Sequence, residues 1–75
     1  MSRKVSPITA KKLIRILEKL GFIKVHQKGG HAFFEHLDGR TTVVPIHHGE
    51  DIGKGLLNEI VKDIEMSIEE FTALR

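Results

Sequence analysis

At 75 residues the chain makes one small domain, 1–75, of a size that buries only about 60% of the surface its unfolded form exposes, which excludes a deep enclosed active-site cavity. The absence of cysteine excludes disulfides, thiol nucleophiles and thiolate zinc sites, so any catalysis falls to histidine, acid or hydroxyl groups. With a formal charge of +2 and no apolar run near the roughly 20 residues that span a bilayer, membrane insertion is set aside; the basic start Met-Ser-Arg-Lys has no apolar segment of the secretory kind behind it, and a cytoplasmic protein is expected.

The charge is unevenly spread. Eight basic residues and one acid, Glu18, lie within the first 28 positions, whereas acids outnumber bases from Glu50 onward. From Thr9 to Leu20, Leu13, Ile14, Ile16, Leu17 and Leu20 recur at helical spacing opposite Lys11, Lys12, Arg15 and Lys19, which predicts an amphipathic helix with a basic outer side. Gly21 stops it, since glycine readily takes the left-handed conformation that closes a helix. Phe22 to Lys28 reads as a strand, Gly29-Gly30 as a two-residue hairpin turn, and His31 to Leu37 as the return strand. Asp38-Gly39 signals a second such turn before the β-branched stretch Thr41 to Ile46, where Pro45 marks a strand end or an outer strand. Leu56, Leu57, Ile60, Val61 and Ile64 predict a second helix, and Ser67 with Glu70 forms a capping box opening a short terminal one.

Two-residue turns would pair Lys28 with His31, Val25 with Phe34, Phe34 with Val43 and Phe33 with Val44. Both sheet faces then carry apolar residues, and the pattern leaves open which of Phe33 and Phe34 joins the core. The order of helix, three antiparallel strands and helix is that of double-stranded-RNA-binding domains, an analogy that by itself carries no function.

Histidines 26, 31, 36, 47 and 48 first suggest a metal, but His31 and His36 differ by an odd number along a strand and point to opposite faces, and His47-His48 are adjacent. No metal or other cofactor is expected, and His26, His36 and His48 read as solvated surface. His31 is the candidate catalytic group: its imidazole can accept or donate a proton near neutral pH, and Lys28 beside it would attract a phosphate. Spacing alone favours the plainer reading of a polar residue following a turn. The basic helix face, with Lys24, Lys28 and Arg40, suits an RNA backbone, whose contacts need charge more than shape.

Leu13-Ile14-x-x-Leu17-Glu18-x-x-Gly21-Phe22, then Lys28-Gly29-Gly30-His31, Val44-Pro45-x-His47-x-Gly49 and Ser67-x-Glu69-Glu70-Phe71 together resemble the HicA, or YcfA-like, toxin family over nearly the whole chain. The resemblance implies an α+β, double-stranded-RNA-binding-like fold, with a three-stranded antiparallel sheet and helices on one face. It implies an mRNA interferase, an endoribonuclease held inactive by a HicB-like antitoxin, with DNA reached only through the antitoxin complex. The family's catalytic histidine maps onto His31. Lys28 is assigned to phosphate stabilisation, Gly29, Gly30, Lys24 and Arg40 to RNA contact, and His47 to substrate contact or leaving-group protonation. Gly30 stands where many members have serine, and Ile64-Glu65-Met66 departs from a small-residue pair at the end of the second helix. The alternative readings are a non-catalytic RNA-binding module of the same fold and a protein whose basic face binds only an acidic partner.

Overall fold

The computed structural model describes residues 6–46 and 51–75. A short strand β1 (Ile8–Thr9) leads into α1 (Ala10–Lys19), followed by β2 (Ile23–Lys28), β3 (His31–Glu35) and β4 (Thr41–Pro45). A second short strand β5 (Asp51–Ile52), α2 (Lys54–Asp63) and α3 (Ile68–Ala73) complete the order. The antiparallel meander β2-β3-β4 is the main sheet; β1 and β5 pair separately, Ile8 with Ile52 and Thr9 with Asp51. This is the expected α-β-β-β-α arrangement. The β1–β5 pair is an addition, two residues a side and too short to leave a period-two pattern in the sequence.

Both main helices end in the same device. Thr9 caps the start of α1, its Oγ1 accepting the Lys12 N–H at 3.1 Å. At the other end, Gly21 at φ 100° donates its N–H to the Glu18 carbonyl, and Phe22 donates to that of Leu17. These are the two bonds of a Schellman cap, completed by apolar contact between the buried residues Leu17 and Phe22. At the end of α2 the same pair recurs, Glu65 to Lys62 and Met66 to Val61, with Glu65 in the left-handed position at φ 58°. The stretch that departs from the family pattern therefore builds a regular cap with a non-glycine residue at its strained point. The capping box on α3 forms as expected, Ser67 Oγ accepting from Glu70 N–H and the Glu70 carboxylate from Ser67 N–H.

Between β2 and β3, Lys28 pairs with His31 across Gly29-Gly30, but a bulge between Lys24 and His26 sets Val25 aside and brings Lys24, not Val25, opposite Phe34. Between β3 and β4 the turn is one residue longer than expected. Gly39, at φ 99°, donates to the His36 carbonyl and His36 N–H donates to that of Arg40, making a three-residue loop over 37–39. The extra residue shifts every partner by one, so Phe34 meets Thr42 and Phe33 meets Val43.

That register settles the question left open between the two phenylalanines. Ala32, Phe34 and Val44 are buried in the core with Leu13, Leu17, Phe22, Leu57, Ile60, Val61, Ile64 and Phe71. Thr42 shares this face and is also buried, its hydroxyl donating to Asp63 Oδ2 at 3.0 Å and so joining β4 to the end of α2. Phe33 and Val43 lie on the opposite face, partly exposed and outside the core cluster.

Two substitutions test the caps with opposite signs. A Cβ at Gly21 would stand 2.9 Å from His36 Nε2 in a conformation L residues avoid, so Gly21→Ala lowers the unfolding free energy by about 1–3 kcal/mol in urea melts. Glu65→Gly relieves the left-handed strain at the end of α2 and raises it by about 0.5–1 kcal/mol in the same measurement.

Candidate functional site

The hairpin joining β2 and β3 is fixed by backbone chemistry. A two-residue turn compatible with strand twist requires positive φ at its first residue, and Gly29 supplies 58°. A Cβ there would meet nothing, so the need for glycine is conformational. Pro45 lies opposite His31 and the Ile46 N–H donates to the Gly30 carbonyl, so the end of β4 braces the turn.

Alternation along β3 then divides the residues between faces. With Ala32 and Phe34 directed into the core, His31, Phe33 and Glu35 occupy the face the helices leave bare. Register extends this into three rows across the sheet: Lys28, His31 and Pro45; His26, Phe33 and Val43; Ile23, Glu35 and Thr41. His31 is exposed. This first row brings a cationic side chain, an imidazole and a glycine turn to one corner, an arrangement able to hold a phosphate beside a proton acceptor.

The remaining expected RNA contacts are placed elsewhere. Lys24 falls in the row of Phe34, on the helix side of the sheet, where its Nζ donates to Gln27 Oε1 at 2.8 Å. Arg40 lies near the end of the sheet away from His31. His47 and His48 are outside the described residues. Among the described residues, no group of three or more His, Asp or Glu side chains is gathered as for a metal, and no helix is long and apolar enough to cross a membrane.

A family model described as the HicA toxin of bacterial toxin-antitoxin systems matches residues 10–66, spanning α1, the whole sheet and α2. The chain belongs to the HicA toxin family. It is thus a toxin of the kind that is paired with a cognate antitoxin. No curated protein matches the sequence. The HicA match includes Lys28-Gly29-Gly30-His31 and the open face around it.

Sequence reasoning assigned His36 to solvated surface; the structure makes it a structural residue of this HicA domain. Half-buried, it holds the Leu20 carbonyl through Nε2 at 3.0 Å and accepts the Asp38 N–H on Nδ1 at 3.1 Å. These two bonds fix the ring orientation and specify the tautomer protonated on Nε2. Its ring meets Phe22 edge-on, with centroids 5.1 Å apart. Arg40 covers the Phe22 ring at 5.1 Å, donates to the Ile64 carbonyl and clasps Asp38 at 2.8 Å. Together His36, Phe22 and Arg40 tie the ends of α1 and α2 to the second hairpin. Only the left-handed glycine that makes room for the imidazole hinted at this, and its partner lies 15 residues away in sequence.

Hydrogen bonds from the Arg40 side chain and backbone hold the Asp38 carboxyl below its ordinary value of 3.8. A depressed carboxylate adds stability above its unfolded pKa and loses it as the pH falls through the folded one. The melting-temperature difference between wild type and Asp38→Asn therefore stays constant from neutrality to about pH 5 and closes below pH 3.8.

Proposed function

We propose that this chain is an endoribonuclease toxin that cleaves mRNA by internal transfer, with His31 as general base, and that a HicB-like antitoxin neutralises it. The observation that carries this reading is the pairing of Lys28 with His31 across the glycine turn, on the sheet face that none of the described helices covers. Neutral His31 takes the proton from a ribose 2′-hydroxyl; the oxygen attacks the adjacent phosphorus, a 2′,3′-cyclic phosphate forms, and the 5′-oxygen departs. The substrate brings its own nucleophile, so a small open domain has only to supply a base, positive charge and positioning.

Lys28 stabilises the charge that builds on the phosphoryl oxygens, and backbone amides of the Gly29-Gly30 turn are the further donors of that corner. His47 is the candidate for leaving-group protonation. Lys24, and the exposed Lys11, Lys12, Arg15 and Lys19 of α1, attract RNA from outside that corner. Arg40, whose Nε and Nη1 donate to Asp38 and to the Ile64 carbonyl, stands apart from that corner and is given no role in the transfer.

A labelled RNA incubated with purified protein in EDTA yields fragments ending in cyclic phosphate. His31→Ala lowers the rate by about 100- to 10,000-fold, the usual worth of a general base. Intact RNA with wild type, alongside retained RNA binding, would establish a non-catalytic RNA-binding module instead.

A further inference from the structure

Of the four phenylalanines, Phe22, Phe34 and Phe71 are at most 2% exposed and sit in the core. Phe33 is the exception, partly exposed on the bare face of the sheet. It lies beside His26, with ring centroids 5.4 Å apart and planes tilted by 47°, and opposite Val43 on β4. The row of Lys28 and His31 is adjacent, two residues along β3 and so about 7 Å away, the reach of one ribose and its phosphate. On the other side the next row holds Glu35, whose carboxylate repels a phosphate. Charge therefore places an RNA backbone at the Lys28 end and leaves the ring for a base.

We infer that Phe33, flanked by His26, is the stacking platform for one base of single-stranded RNA, positioning the adjacent phosphate at His31. This rests on the RNA reading above and adds a positioning residue to it. A base has an apolar face that an aromatic ring can cover whatever its sequence, and each such stack contributes substantially to single-strand affinity. A duplex keeps its bases stacked inside and offers Phe33 nothing to cover, so the face selects unpaired RNA. Cross-strand aromatic packing alone would also favour Phe33 in a strand, but that role affects stability and leaves binding unchanged.

The test uses a short 2′-O-methyl RNA carrying one 2-aminopurine, which lacks the nucleophilic hydroxyl, and reads fluorescence in a protein without Trp or Tyr. Wild type quenches the probe on binding. Phe33→Leu keeps the fold by thermal melt, weakens binding by about 5- to 10-fold and loses the quench, whereas Phe33→Trp retains both. On unaltered protein, the Phe33 ring protons shift on titration with the RNA and stay in place with an abasic oligomer of equal length, which removes any dependence on the variants' folding. Equal affinity and quench in Phe33→Leu, an unmoved Phe33 ring on RNA binding, or no RNA binding at all would overturn the inference and leave the face to a protein partner. Phe33-dependent binding without cleavage of ordinary RNA would retain the platform and sink the nuclease; cleavage indifferent to Phe33 would do the reverse.

Discussion

Because helices cover one face of a three-stranded sheet, every residue of the central strand is committed either to the core or to solvent. Ala32 and Phe34 fill the core side, so His31, Phe33 and Glu35 must stand on the other. A slip of one residue would bury the imidazole and expose Phe34, exchanging the Lys28–His31 corner and the core in a single move. The domain's stability and the accessibility of His31 are thus two results of the same alternation. Buried Thr42 reinforces it, since its hydroxyl has a partner in Asp63 only while β4 keeps this register.

The helices were legible in the sequence because their signals are local: an apolar period of 3.6, the threonine and serine caps, and Gly21 past the end of α1. The first hairpin was legible for a similar reason, since two glycines leave little choice of turn, and Lys28 faces His31 as the count of residues requires. The second misled because Asp38-Gly39 suits a two-residue turn equally well. What selects the longer loop is tertiary: His36 reaches to Leu20, and Arg40 to Ile64 across 24 residues of chain. A bulge at Val25 is likewise invisible to a pattern of strict alternation.

The candidate site was more legible than the frame around it. His31 with Lys28 and the glycine pair came from contiguous residues, and the structure keeps them together. Arg40 appeared to belong with them as one more cation on the basic half of the chain, yet charge on a sequence does not say which partner claims it. Here an aspartate two residues back and a helix-end carbonyl engage it first. His36 is the complementary case, a polar residue whose value lies in filling the space that Gly21 leaves empty.

The bulge at Val25 also bears on how the molecule behaves in company. β2 is an outer strand, and an uninterrupted outer strand presents an even series of N–H and C=O groups on which another copy's strand can pair. Setting Val25 out of line breaks that series midway, and the exposed lysines at 24 and 28 bracket the break with like charge. An edge broken in this way is a poorer template for a further strand, even though it carries Ile23 and Val25 at the surface, 61% and 52% exposed.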